Sequence, residues 1–298
     1  MDKKGLILVL STALISGVSI FLNKYAVSGI DSSIFTFSKN IVVAAVLVSI
    51  MLLLKWGAFS SLKGKDWLML SIIGLVGGSI PFLLFFRGLQ MISGPMGSFI
   101  HKLMFLFVAV LAILFLKERL RKEFFLGGIA LLAGSFLLLK MKGFTMGSGE
   151  LLVLAATVLW AAENTISKHA LKRIDPVIVA AGRMGFGAFF IFAFLVFTGK
   201  ATILLTLSME QILWILSTSA LLLGYVLTWY HGLKLVDVTV AATVLLVGAP
   251  VTTLLSMLAS GYKAGVFELI GAGLVLSGVV VAIGLGEVFY ARRWKARG

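Results

Sequence analysis

The chain has 298 residues, of which 60% are hydrophobic and 13% charged, with no cysteine and a mean hydropathy of +1.10. A soluble globular domain carries about a quarter charged residues, so this composition excludes a soluble catalytic module and makes lipid the main solvent. Without cysteine there is no disulfide, thiolate metal site or thiol nucleophile, and 26 basic against 12 acidic residues leave a net charge of +14.

A hydrocarbon core about 30 Å thick takes roughly 20 helical residues to cross. Near-continuous apolar stretches of that length recur over 5–22, 32–54, 68–88, 92–116, 122–140, 148–168, 176–198, 211–230, 236–260 and 266–288, joined by short polar links. They predict an all-α integral membrane protein with ten transmembrane helices. The opening "MDKKGLILVLSTALISG" has the basic start and apolar body of a signal peptide, but "VSIFLNKY" follows without a small-x-small cleavage site. That favours a retained first span.

The basic residues sort by side. With a cytoplasmic N-terminus, the inner links and tails hold most of them, including Lys3, Lys4, Lys117, Arg119, Arg121, Lys122, Arg292 and Arg293. The outer links hold only Lys24, Arg87, Lys140, Lys142, Lys200 and Lys263. By the positive-inside rule this predicts a multi-pass protein of the cell inner (plasma) membrane with both termini cytoplasmic. The positive charge is then a topology signal met by anionic lipid headgroups, and no nucleic-acid partner is expected.

A shift of 144 residues superposes the two halves. Lys24 falls on Lys168, Asp31 on Asp175, Lys39 on Arg183, Gly88 on Gly232, Gly127 on Gly271 and Gly134 on Gly278. Agreement at so many polar and glycine positions in an apolar chain marks a duplication, with halves 1–144 and 145–298. Five spans per half is odd, so the second copy must enter the membrane inverted. Inverted repeats can open one central site alternately to either side, so transport is the natural reading. A duplicated scaffold or lipid-handling protein without a solute pathway is the alternative.

Three stretches carry a resemblance: "LWAAENTISKHALKRIDPVIVAAGRMGFGA" at 159–188, "FLKERLRKEFFLGGIALLAG" at 115–134 and "GAPVTTLL" at 248–255. Together they resemble EamA-type members of the drug/metabolite transporter superfamily, over essentially the whole chain. The resemblance implies two five-helix repeats around a central cavity, with the fifth and tenth spans peripheral, and a bias toward export. The copies depart from each other: Lys39 stands where arginine is usual, Leu106 replaces the proline matched by Pro250, and "ASGYKAG" at 259–265 lacks the charged turn "LKERLRK".

A charge at the bilayer centre costs at least about 2.5–3.5 kcal/mol on insertion scales and should face a partner or a wet cavity. Lys39 and Arg183 each lie seven residues into their spans, roughly 10 Å deep, entering from opposite faces. Lys102 lies near the midplane; its counterpart is Leu246, and that of His101 is Leu245. A lysine present in one copy only is better explained by what occupies the cavity than by architecture, the alternative being a pair with Glu163 that joins helices. His101 lies about 100° around the helix from Lys102, so the two should not face one point; it is a candidate proton carrier or a packing group. Thr12, Ser16, Ser19 and Asn23 form one polar stripe predicted to line the cavity, replaced in the second copy by Trp160, Glu163 and Ser167. Glu163 is the second candidate proton carrier.

Pro81 and Pro250 interrupt their spans and are candidate gating kinks. Tyr225 is placed to stack on a substrate, whereas Trp229 and Tyr230, near a span end, read as an interfacial belt. Gly127, Ala130 and Gly134, with Gly271 and Gly278, permit close helix packing within the fold or in a homodimer. No metal-binding, nucleophile or phosphate-loop motif stands out, and no cofactor or enzymatic activity is expected. Lys39, Lys102 and Arg183 against Glu163 leave an excess of positive charge. The expected function is therefore secondary export or exchange of a small metabolite bearing a carboxylate, such as an amino acid. Proton-coupled efflux of a lipophilic cation through Glu163 is the other transport reading.

Overall fold

The computed structural model describes residues 2–27, 29–92, 94–118, 120, 122–138, 147–260 and 265–283, and these contain helices and no strands. The side chain of Lys24, the residues Arg119, Arg121, Lys140, Lys142 and Lys263, the tail 284–298 and the junction between the halves lie outside them.

The helices begin where the sequence supplies caps. Asp2 caps α1 (Lys3–Ala26), accepting from the N–H of Lys4 and Gly5; Asp31 caps α2 (Ser32–Leu54), accepting from Ser33 and Ile34. A short α3 (Trp56–Ser60) leads into α4 (Gly64–Ile73), a π-helical turn over Gly74–Ser79 and α5 (Ile80–Leu89), which together make one span. The next span is also broken, into α6 (Gly94–Lys102) and α7 (Met104–Leu111) with a π-helical end at Ala112–Leu116; α8 (Lys122–Leu138) completes the half. The second half runs α9 (Ser148–Ala170), α10 (Pro176–Phe197) capped by Asp175, a 3-10 turn at Ala201–Thr206 and α11 (Met209–Leu235). It ends with α12 (Val238–Val244), a 3-10 turn at Leu245–Val247, α13 (Gly248–Ser260) and α14 (Val266–Ile283).

The 144-residue shift carries over to the elements: α2 and α10, α6 and α12, and α8 and α14 start that far apart. So do the helix breaks, one after Lys102 and one at Leu245–Val247. The packing is reciprocal. α1 lies against α11 as α9 lies against α5; α7 meets α9 as α13 meets α1; α2 packs on α10 and α8 on α14.

Nine helices among the described residues are long and apolar enough to cross a membrane. The expectation of ten meets that number because the segment predicted over 122–140 is described as a 17-residue helix, Lys122–Leu138. The outside is apolar, with Leu53, Phe197, Phe125 and Leu258 exposed, while Lys39, Asn40, Glu163, Asn164 and Arg183 are buried. That inside-out distribution is what lipid as solvent requires. The glycine faces are spent inside the chain: a methyl on Gly127 would meet Gly278 O at 2.5 Å, and one on Gly134 would meet Gly271 O at 2.7 Å. α8 and α14 therefore use their small residues on each other, which removes that ground for a homodimer.

Candidate functional site: a charged cavity between the halves

The cavity between the halves has a volume of about 170 Å³, room for on the order of ten water molecules at roughly 10–15 Å³ each. Ser16, Ser19, Lys39, Trp160, Glu163, Arg183, Tyr225 and His101 line it together, joined by Asn23, Thr36, Asn40, Phe82, Phe85, Phe86, Met104, Asn164 and Trp229. Of its ionic side chains, Lys39 comes from the first half, Glu163 and Arg183 from the second.

A local defect in α4–α5 organises the second-half charges. Pro81 brings no N–H to the carbonyl four residues back, which is that of Gly77, and the chain widens to a π-helix at this point. Gly77 O accepts from Arg183 Nη2 at 3.2 Å and from Trp160 Nε1 at 3.0 Å; the next carbonyl, Gly78 O, accepts from Asn40 Nδ2 at 2.8 Å. One backbone irregularity thus positions side chains from α2, α9 and α10. It requires glycine: a methyl on Gly77 would collide with Glu163, and one on Gly78 with the Arg183 backbone.

Glu163 Oε1 accepts from Ser167 Oγ at 2.5 Å and from Tyr230 OH at 2.7 Å, while Oε2 faces Arg183 Nε at 3.9 Å. That Nε has no hydrogen-bond partner. Lys39 Nζ donates to Asn23 Oδ1 at 2.9 Å and lies 4.8 Å from the Phe35 ring centroid. Among the described residues a neutral amide and a ring are its partners, with no carboxylate. His101 packs edge-on against Trp160 and Phe85, centroids 5.2 and 5.4 Å away.

The EamA-like transporter family matches residues 3–140 and again residues 147–284. The chain belongs to the EamA-like transporter family. This family sits within the drug/metabolite transporter superfamily, and the chain is accordingly a multi-pass membrane protein of a transporter family. It is 27% identical to the "Uncharacterized transporter YyaM" of Bacillus subtilis over 94% of this chain and 93% of that one. An "Uncharacterized transporter" of Archaeoglobus fulgidus is also 27% identical, over 94% and 99%. A solved crystal structure superposes with a TM-score of 0.78 at 18% identity, covering 97% of this chain and 99% of that one, so the fold is shared.

Within this EamA-like chain, several expectations change. Lys102 does not line the main cavity and does not pair with Glu163, which Arg183, Tyr230 and Ser167 already engage. It lines a side pocket of about 20 Å³ together with His101. His101 and Lys102 reach this one pocket despite their offset of about 100° because α6 ends at Lys102, and a pocket at a helix end is open to adjoining positions. Thr12 leaves the polar stripe: its Oγ1 donates to Leu8 O and bonds Thr228 Oγ1 at 2.8 Å, joining α1 to α11. Trp229 and Tyr230 are not an interfacial belt but fully buried, Trp229 lining the cavity and Tyr230 holding Glu163.

Both prolines sit in the first turn of a helix that follows an irregular turn, Pro81 in α5 and Pro250 in α13, where a missing N–H is tolerated. The residues missed from sequence include Tyr230, Asn40, Thr36, Met104, Asn164 and the three phenylalanines. Tyr230 had a signal, since it lies in the 144-residue register of Phe86, another lining residue. Asn40 adjoins Lys39 at the depth where the polar first half of α2 gives way to the apolar run 41–48.

Proposed function

We propose that this chain is a secondary transporter, an exporter or exchanger, of a small organic metabolite bearing a carboxylate, an amino acid being the leading class. The observation that carries this is the charge inventory of the cavity. Glu163 is its acidic lining residue among the described residues and is engaged by Arg183, Tyr230 and Ser167, whereas Lys39 meets no carboxylate of any described residue. A buried cation without a counter-charge is costly, and a substrate carboxylate offsets that cost. Ser16, Ser19, Lys39, Arg183, Trp160 and Tyr225 form the substrate-binding cavity in this reading, with the aromatic side chains taking the apolar body.

Alternating access is supported by how the lining is distributed. On α1 and α2 it comes from the halves nearest Asp31, through Ser16, Ser19, Asn23, Thr36, Lys39 and Asn40. Of their counterparts on α9 and α10, Ser167, Ala180 and Met184 are fully buried and off the cavity. We read this as one of two access states of inverted halves 1–144 and 145–298, open at the Asp31 face, which the positive-inside rule makes the outer face. Both termini are then cytoplasmic and the membrane is the plasma membrane. Pro81 and Pro250 border the irregular turns and are the gating positions of this scheme.

The test is counterflow in liposomes reconstituted with the purified protein. Saturable exchange of an acidic metabolite supports the reading; no exchange across a broad metabolite panel favours a scaffold or lipid-handling role. The aromatic lining and the buried Glu163 favour one second reading, proton-coupled efflux of a lipophilic cation. It requires that Glu163→Gln abolish cation transport driven by a proton gradient.

A further inference from the structure

The side pocket lies where the two broken spans meet. Its wall includes His101 and Lys102 from the end of α6 and their 144-residue counterparts Leu245 and Leu246 from the 3-10 turn after α12, closed by Ser16 and Tyr225. Lys102 is buried and makes no hydrogen bond or ion pair with any described residue. The Ser16 and Tyr225 hydroxyls and the His101 ring likewise have no hydrogen-bond partner among the described residues, although Tyr225 stacks on Trp229. All four side chains can donate, and no acidic residue lines the pocket. Four donor-bearing side chains around one small volume, with a buried cation and no carboxylate in the lining, are the inverse of a metal site.

We propose that this pocket is a binding site for one compact monovalent anionic group, held by Lys102 with Ser16, His101 and Tyr225. Its volume of about 20 Å³ holds one or two atoms of water size at roughly 10–15 Å³ each, enough for a halide or the end of a carboxylate but not for a phosphate. The pocket shares Ser16, His101, Met104 and Tyr225 with the main cavity. The group can therefore be a free ion bound beside the substrate or the substrate's own carboxylate reaching through. Discontinuous helices near the middle of a bundle are where transporters place ion sites. The pseudo-symmetry locates this one, and the Lys-to-Leu and His-to-Leu differences between the copies make it one-sided. The free-ion arm does not depend on the transport reading above.

The experiment is thermal unfolding of the purified full chain in sodium methanesulfonate, an anion too bulky for the pocket. Chloride, bromide, formate or acetate replaces it at constant ionic strength, since a ligand of the folded state stabilises it by mass action. Saturable stabilisation by halides, weakened about tenfold or more in Lys102→Met as loss of one charge-assisted bond predicts, supports a free-ion site. The same pattern with formate and acetate but not halides supports a substrate carboxylate. No saturation with any of the four in the wild type, or wild-type affinity in folded Lys102→Met, overturns the proposal. Should Lys102→Met not fold, Ser16→Ala and Tyr225→Phe replace it: weaker anion binding in either supports the site, and unchanged binding in both overturns it.

Discussion

Arg183 of α10 donates to the carbonyl oxygen of Gly77 at 3.2 Å, across the boundary between the two halves. The acceptor exists because Pro81, four residues on, has no N–H to claim it. The proline's role is therefore legible as chemistry: it exposes a backbone acceptor to a cation and an indole inside the bundle.

Replacing Pro81 by Ala supplies an N–H that competes for Gly77 O. The helix gains a bond while Arg183 and Trp160 lose part of theirs. The expected result is a thermal stability within about 1 kcal/mol of wild type with substrate affinity lowered about tenfold, the equivalent of roughly 1.4 kcal/mol. Calorimetry beside a binding titration separates the two effects, and equal affinity in the variant contradicts the assignment.

Glu163 and Arg183 form a buried pair with a 3.9 Å gap. Glu163→Gln leaves an oxygen for Ser167 and Tyr230 but strands the guanidinium, so it should destabilise by about 3–5 kcal/mol, as removal of one member of a buried pair does. Arg183→Met alone should also destabilise, and the double variant should recover part of the loss. A double-mutant cycle on unfolding reads the coupling; additive effects would show that the two charges do not interact.

The crossing of α2 and α10 is tied at both ends by an Asp–Lys pair, Asp31 to Lys200 at 2.7 Å and Asp175 to Lys55 at 3.0 Å. Burial alone would raise the Asp31 carboxyl, but the hydrogen bond from Lys200 and the N–H groups of Ser33 and Ile34 outweigh it and hold it below the ordinary carboxylate value. A carboxyl depressed in the folded state adds stability that is present above its unfolded value, about 3.9, and lost as pH falls through the lower folded one. Both partners are partly exposed, so the contribution should stay below about 1 kcal/mol. Unfolding temperatures of wild type and Lys200→Met should differ at pH 7 and converge toward pH 3; a constant difference would contradict the pairing.

Gly187 and Gly185 sit on the same helix in opposite surroundings. A methyl on Gly187 would lie 2.6 Å from Gly78 O and 2.8 Å from Gly78 Cα, whereas one on Gly185 would meet nothing within 4 Å. Gly187→Ala should push α10 off the π-helical turn and cost about 1–3 kcal/mol or more. Gly185→Ala should be neutral or stabilise by up to about 1 kcal/mol through helix propensity. Thermal unfolding of the two variants side by side checks the close approach; equal stabilities would mean the backbones are farther apart.

The duplication was legible because lipid restricts polar residues and glycines to places where they do something, so a few of them fix the register. Lys24, Asp31, Gly127 and Gly134 found their counterparts 144 residues on, and the structure starts its helices at the same offset. Lys39, Glu163 and Arg183 were legible as cavity residues for the same reason. What periodicity could not show is where helices stop being regular. The π-turn at Gly74–Ser79 and the break after Lys102 decide which carbonyls are free and which pocket Lys102 enters. Neither changes hydropathy. Tyr230 was misread because proximity to a span end in sequence says nothing about which helix covers it.

The most direct measurement is thermal stabilisation of the purified protein by matched pairs of ligands, each an acidic metabolite and its neutral amide, beside a lipophilic cation. A cavity with unmatched positive charge predicts that the acid stabilises saturably and its amide does not, and that Lys39→Met narrows the difference. Stabilisation by the cation, with acid and amide indistinguishable, would contradict it.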